Sequence, residues 1–265
     1  MSSVLEAEHS SPAHSSAATK RVNETDAVVA GLWVYPVQSL RGQPLQHASF
    51  SATGLLGDRG YGIADSASGI VVGSSRPGWD DLITWEARYL GPVPVAGPLP
   101  AVEIAFPDGR SLRSDDPACD SVLSDRLGKK VSLVVNDGRI AKRRYELAPC
   151  HFLTTATLKE LQKAYPEGSF DPARFRPNIL LDCGAASGFI EQNWIGRQLA
   201  CGDVVFTVTE DCVRCALTVR AQGHLPKDPR ILHTVTQMNR TFAGSYATVA
   251  QPGTITLGAV AAIGA

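Results

Sequence analysis

The sequence predicts a β-rich α+β protein with a few short helices, and three observations support this class. Short apolar runs separated by turn residues begin at Val28 and recur to the C-terminus, as in the strands of a sheet or barrel. Helical spacing of apolar residues is confined to three short segments. No glycine-rich turn of the dinucleotide-binding or P-loop type leads from a strand into a helix.

In the N-terminal half, turn signals separate the predicted strands. The last two of these strands flank Pro107-Asp108-Gly109, which predicts a hairpin. The predicted strands are Val28–Val37, Ala48–Ser51, Tyr61–Ala64, Ile70–Val72, Leu82–Ala87, Val102–Phe106 and Ser111–Arg113.

In the C-terminal half, strands alternate with the three helical segments. The first helix spans Asp120–Leu127, the second has capping-box spacing from Thr157 to Glu160, and the third opens at Asp228-Pro229 with Met238 facing inward. The predicted strands are Val131–Val135, Asn178–Asp182, Gly202–Glu210, and a closing hairpin of Tyr246–Ala250 with Thr254–Val260.

The chain divides into three predicted parts. Residues 1–27 contain six serines and few large apolar residues, so they predict a disordered tail. A smaller N-terminal domain of barrel-like strands covers 28–115, and a second domain covers 116–265. The four prolines in 91–100 exclude a central strand or helix, which indicates a surface loop or a seam between subdomains.

Composition excludes several functional classes. Of the 265 residues, 44% are hydrophobic and 19% are charged, which is enough for a substantial core. The 25 basic and 26 acidic side chains give a net charge of -1, without the basic excess that nucleic acids or anionic membranes attract. Six cysteines are too few for a disulfide scaffold, and no apolar run is long enough to cross a bilayer. We expect a cytoplasmic protein with reduced thiols.

The first candidate for chemistry is Cys212-Val213-Arg214-Cys215, after a predicted strand. One CxxC pair without a second pair is a weak zinc signal, and redox pairs usually open a helix. The alternative without a chemical role is that the two cysteines are half-buried and pack at a strand end. Arg214 favours a thiolate, because a neighbouring cation lowers the pKa of a thiol, and thiolates suit thiophilic metals.

The second candidate is Arg174-Phe175-Arg176-Pro177-Asn178, which precedes a strand. We expect one guanidinium to face the interior and the other to face solvent. Either the segment contains a buried ion pair, or it offers a fixed fork to phosphate, with the Asn178 amide beside it.

The third candidate combines Tyr35-Pro36-Val37-Gln38-Ser39 with Gly57-Asp58-Arg59. Taken alone, these motifs indicate a strand end and a turn in which Arg59 forms a salt bridge.

Taken together, these motifs resemble the MOSC family, named after the C-terminal domain of molybdenum cofactor sulfurases. The resemblance covers Val28 to the C-terminus, and it includes Tyr246 and Pro252-Gly253-Thr254-Ile255. It implies a MOSC β-barrel preceded by the family's smaller N-terminal β-barrel domain, as in the mitochondrial amidoxime reducing component. Several ordered motifs in one chain are much more specific than any single one.

The resemblance also implies a cofactor, molybdenum bound to molybdopterin. It assigns Cys215 as the catalytic metal ligand, Arg59 and Arg176 as phosphate-binding residues, and the remaining cofactor contacts to Ser39, Asn178, Arg214 and Tyr246. The implied activity is reduction of small N-hydroxylated or N-oxygenated molecules, with electrons from a separate flavin or iron–sulfur reductase. Pyridoxal phosphate binding is a further association at the level of the family.

The sequence departs from the family pattern at two places. Gln38 replaces the lysine of the amidoxime reducers, which removes a cation near the cofactor. Cys150 and His151 stand where the mitochondrial relatives supply small hydroxyl residues. Two other functions therefore stay open: a sulfur or cofactor carrier that uses Cys215, or a diverged biosynthetic protein without the cofactor. The role of Cys212 stays open as well.

Overall fold

The computed structural model describes residues 26–136 and 149–264, and the secondary structure below refers to these ranges. The strands are β1 Asp26–Val34, β2 Gln43–Pro44, β3 His47–Ser51, β4 Gly54–Leu55, β5 Tyr61–Asp65, β6 Ile70–Val71, β7 Glu86–Tyr89, β8 Val102–Ala105, β9 Ser111–Arg113, β10 Val131–Val135, β11 Cys150–Thr154, β12 Ile179–Asp182, β13 Gln198–Cys201, β14 Val204–Val213, β15 Phe242–Gln251, β16 Gly253–Thr256 and β17 Val260–Ile263. The helices are α1 Cys119–Leu127, α2 Thr155–Ala164, α3 Pro172–Phe175 and α4 Pro229–Asn239, with 3₁₀ turns at Asp80–Thr84, Ile190–Trp194 and Ala216–Val219.

Seven strands form a closed barrel in the order β12-β11-β15-β14-β13-β17-β1, and pairing of β1 with β12 closes it. The β-rich class and the barrel are thus confirmed. β1 comes from the N-terminal region, while its barrel neighbours β12 and β17 come from the C-terminal half. Closure leaves no free edge within the barrel, and it brings the end of β1 beside residues more than 100 positions away.

Three further sheets, each with three strands, combine N-terminal strands with β10 and β16 from later in the chain: β10-β5-β6, β16-β3-β4 and β7-β8-β9. Their apolar side chains pack with the barrel interior in one core. A second, smaller core lies between the barrel wall and helices α2 and α4, and it includes Phe175 and Ile231. The predicted tail lies outside the described residues, except for Asp26 and Ala27, which belong to β1.

Several predicted elements differ from the structure. The closing hairpin is wrong: β15 pairs with β11 and β14, whereas β16 pairs with β3. The turn residues around Pro252 indicate that the chain bends there, but they do not determine which strand pairs with β16. That partner, β3, lies near the start of the chain. The strand predicted over Leu82–Ala87 is a 3₁₀ turn followed by β7. Helix α2 begins three residues earlier than the predicted capping box at Thr157 to Glu160 implies. The N-cap is Thr154, whose side chain accepts a hydrogen bond from the Thr157 backbone N–H.

The helix at Pro229 is confirmed, with Asp228 as its N-cap. Met238 does not face inward, however, and 41% of its surface is exposed. Among the described helices, none combines the length and the apolar character needed to cross a bilayer.

Candidate functional site

Tyr35, directly after β1, is the centre of a cluster of arginines. The guanidinium carbon of Arg176 lies 4.2 Å from the Tyr35 ring centroid, and that of Arg59 lies 5.2 Å from it. The Tyr35 hydroxyl donates to the Pro177 carbonyl at 3.0 Å, which fixes the ring. Burial raises the pKa of Tyr35 above its ordinary value, so the phenol stays neutral and presents its π-face to the two cations.

Arg59 is held by the turn that contains it. Its backbone N–H donates to the Tyr35 carbonyl at 2.6 Å, and its side chain forms an ion pair with Asp58. Asp58 also accepts from the Tyr35 backbone N–H at 2.9 Å. Burial opposes the charge of Arg59, but Asp58 and the nearby tyrosines raise its pKa. The turn salt bridge considered from the sequence is therefore present, within the cluster.

The two arginines that flank Phe175 have different surroundings. We expected one to face solvent, but this is wrong: Arg174 is 1% exposed and Arg176 is 7% exposed. Arg174 donates to four backbone carbonyls, those of Ser169, Thr218, Arg220 and Pro226. No described residue accepts a hydrogen bond from the Arg176 guanidinium. Burial lowers the pKa of Arg176 to about 10, and the positive charges of Arg59 and Arg214 act in the same direction.

Arg214 extends the cluster toward β11. Its Nη1 contacts His151 Nε2 at 3.2 Å and Cys212 Sγ at 3.0 Å, and its Nη2 donates to the Phe175 carbonyl at 2.7 Å. His151 Nδ1 lies 3.1 Å from the Arg176 carbonyl, which can only accept, so Nδ1 carries the proton and Nε2 accepts from Arg214. Burial and then Arg214 lower the pKa of His151 well below its usual range, so the imidazole is neutral.

The two cysteines of the CxxC motif differ in exposure. Cys212 is fully buried at the end of β14, and burial raises the pKa of its thiol, although Arg214 opposes this. Cys215 directly follows Arg214 and is the only exposed cysteine of the six. No group of three or more His, Cys, Asp or Glu side chains that would hold a metal ion occurs within 26–136 and 149–264.

The remaining predicted site residues, Tyr246, Asn178 and Ser39, make different kinds of contact. Tyr246 is beside His151, with ring centroids 5.4 Å apart. Both ends of the Asn178 amide are bound to backbone, since Oδ1 accepts from His151 N–H at 3.0 Å and Nδ2 donates to the Trp33 carbonyl at 3.3 Å. The Ser39 hydroxyl accepts from the Ser74 N–H at 3.1 Å. These hydrogen bonds orient the Asn178 amide and the Ser39 hydroxyl toward backbone groups, not toward the arginines.

Backbone conformation marks the same region. Outside glycine, five described residues have a left-handed φ, and three of them are predicted site residues: Ser39, Arg59 and Arg176. The other two, Arg240 and Thr241, form the turn whose Thr241 carbonyl accepts from the Arg214 N–H at 2.8 Å. Such conformations cost free energy and concentrate at functional sites.

The charges of the cluster do not balance among the described residues. Arg59, Arg176 and Arg214 place three positive charges around Tyr35 and His151, while Asp58 supplies one negative charge. Arg214 Nε and Gln38 Oε1 are also buried without a hydrogen-bond partner in this part of the chain. Buried cations without counter-charges are unfavourable, so the cluster is suited to an anion that carries several acceptor oxygens.

The sequence missed two contributors to this site. Tyr35 stood in a recognised motif, but a tyrosine after a strand is ordinarily a core residue, and only the geometry reveals it as the surface on which Arg59 and Arg176 stack. Asp58 was taken as a turn residue, whereas it also fixes the Tyr35 backbone.

The fold and the cluster define a β-barrel protein with a buried cationic site. The family models for the MOSC domain and for the MOSC N-terminal beta barrel domain match residues 144–261 and 26–78, respectively. These matches together cover more than half of the chain, which therefore belongs to the MOSC family.

Solved structures give weaker similarities. YuaD from Bacillus subtilis aligns over 90% of this chain and 95% of its own length, with 10% identity and a TM-score of 0.47. YiiM from Geobacillus stearothermophilus aligns over 44% of this chain and 55% of its own length, with 18% identity and a TM-score of 0.34. A comparison with curated proteins finds no match.

Proposed function

We propose that the protein is a molybdenum-cofactor-dependent oxidoreductase that reduces N-hydroxylated or N-oxygenated small molecules, with electrons from a separate redox protein. The observation that carries this proposal is the excess of positive charge around Tyr35, together with the exposed Cys215 that directly follows Arg214 in the chain. MOSC domains are associated with molybdenum cofactor binding in general. When bound, this cofactor supplies a metal that exchanges two electrons and an oxygen atom with substrate.

The donor set fits the phosphate end of molybdopterin. Arg59 and Arg176 would donate to phosphate oxygens, and both are oriented by Tyr35 before any ligand arrives. Arg214 would add positive charge while its bonds to the Phe175 carbonyl and His151 fix the chain before Cys215. Tyr246 would donate a neutral hydrogen bond, and Cys215 would supply the thiolate ligand to molybdenum.

Other residues have supporting parts in this proposal. The Asn178 amide ties β1 to β11, so we assign it to positioning His151. Arg174 holds the segment after Cys215 through the carbonyls of Thr218 and Arg220. The Gln38 Oε1 atom would accept from a donor on the ligand, which a lysine at this position would not do.

The test is molybdenum content by elemental mass spectrometry, with pterin release, for protein made in a cofactor-producing host. We expect near-stoichiometric metal in the wild type and a sharp loss in Cys215→Ala. Cys183→Ala is the matched control, because Cys183 is a partly exposed cysteine that directly follows β12, and the metal content of this variant should be unchanged. Absence of both metal and pterin from the wild type contradicts the proposal.

A sulfur-carrier function is favoured by one observation, the exposure of Cys215, which leaves its thiol open to a partner protein. Incubation with cysteine and a cysteine desulfurase, followed by intact-protein mass spectrometry, decides this alternative. One added sulfur atom on the wild type that is absent from Cys215→Ala supports the carrier, and an unchanged mass excludes it.

A further inference from the structure

A cavity of about 100 Å³ lies between the end of β1, helix α3 and the loop that contains Gln222. Its walls include two aromatic side chains and four polar ones: Trp33, Tyr35, Arg41, Glu86, Arg176 and Gln222. Tyr35 and Arg176 also belong to the arginine cluster, so the cavity adjoins that site. The cofactor assignment above leaves Arg41, Glu86 and Gln222 without a role.

Hydrogen-bond donors around this cavity lack acceptors. The Gln222 side chain is 3% exposed, and its Nε2 is buried without a partner in the described part of the chain. The same is true of Arg41 Nε. Arg176, on the cavity wall, likewise has no acceptor among the described residues. Buried donors are nearly always paired in folded proteins, so the Gln222 and Arg41 nitrogens, together with the unused donors of Arg176, indicate an acceptor from a ligand.

The charges on the cavity wall and the volume of the cavity limit the class of ligand that can bind there. Glu86 Oε2 accepts from Arg41 Nη2 at 3.1 Å, so the charge of Arg41 is offset while that of Arg176 is not. The cavity is smaller than an engineered cavity of about 150 Å³ that holds benzene, which limits its occupant to a few heavy atoms. A carboxylate is planar, carries one negative charge and accepts from a guanidinium and an amide together.

We propose that this cavity binds the carboxylate group of a small organic acid, with Gln222 and Arg176 as its donors. The proposal goes beyond the reductase function; both assignments use Arg176, whose guanidinium has five N–H donors and so can serve two neighbouring acceptors. Acetate is the simplest probe, and acetamide has the same shape without the charge.

Isothermal titration with acetate at constant ionic strength tests the site. We expect acetate to bind the wild type, and Gln222→Met to weaken binding by about tenfold, because a hydrogen bond to a charged group is lost. Gln198→Met is the matched control, since Gln198 is exposed on β13, and its affinity should be unchanged. Acetamide should not compete. Binding that is absent from the wild type, or equal in Gln222→Met, overturns the proposal.

A second variant covers the case in which Gln222→Met fails to fold. Glu86→Gln removes the negative charge at the cavity wall, so acetate should bind several-fold more tightly. Unchanged or weaker binding overturns the proposal. Thermal melting without acetate should leave Gln222→Met as stable as the wild type, because its amide nitrogen has no partner to lose. Molybdenum content, measured separately, bears only on the proposed reductase function.

Discussion

Two buried charged sites, one around Glu191 and one around Arg176, differ in how their charges are satisfied. Glu191 is fully buried, and its carboxylate accepts from the hydroxyls of Thr154 and Thr157 and from the Gly244 N–H, at 2.6–3.0 Å. The arginine cluster has three cations and one carboxylate among the described residues.

The contrast between Glu191 and Arg176 distinguishes a buried charge that stabilises the fold from one that is available to a ligand. Glu191 uses its acceptor capacity within the protein, so it joins β11, α2 and β15 without needing a ligand. Arg176 has donors that no described residue uses, although it is almost as deeply buried. A satisfied buried charge supports the fold, whereas an unsatisfied one indicates a ligand-binding site.

The largest expected effect is on the satisfied site. Glu191→Leu leaves two hydroxyls and the Gly244 N–H without acceptors, so we expect the free energy of unfolding to fall by about 3 kcal/mol. Urea denaturation measures this loss. A loss below about 1 kcal/mol would contradict the structural role of Glu191.

A smaller effect is expected for Arg176→Met in cofactor-free protein. Methionine keeps the apolar contact with Tyr35 and removes a cation that repels Arg59 and Arg214, so stability should change by less than about 1 kcal/mol. Inorganic phosphate should raise the melting temperature of the wild type by a few degrees and that of the variant by less. Equal phosphate effects would show that the anion binds elsewhere.

The smallest effect is a pH dependence from Glu191. Burial raises the pKa of this carboxyl above its unfolded value, so the folded state holds the proton more tightly. Stability from this group is therefore present below the unfolded pKa of about 4.3 and is lost as pH rises through the folded pKa. Relative to Glu191→Gln, the wild type should lose stability over this window in urea melts. A parallel pH profile for the two proteins would contradict the expectation.

Local sequence predicted most elements but not their partners. Asp228-Pro229 identified the start of α4, because a capping side chain and a proline at the first helical position act within one turn. The alternation around Phe206 likewise predicted a half-buried strand. The pairing of β16 with β3 was missed, since the two strands are about 200 residues apart and local sequence carries no information on such a distant partner.

The candidate site was predicted as a set of residues, not as an arrangement. The motifs indicated Arg59, Arg176 and Cys215, but they gave no reason to place Tyr35 between two guanidinium groups or to bind both ends of the Asn178 amide to backbone. These facts depend on contacts between segments that are distant in sequence.

By itself, the sequence determined the β-rich class, the Asp228 cap of α4 and the residue types available for anion and metal binding, because these follow from local propensity and side-chain chemistry. Tertiary structure alone decided which buried donors are satisfied. Arg174 and Arg176 are two positions apart, yet one meets four carbonyls and the other meets no described acceptor. The reason is that the carbonyls of Thr218, Arg220 and Pro226 reach Arg174 only after a loop some 45 residues away has folded over α3.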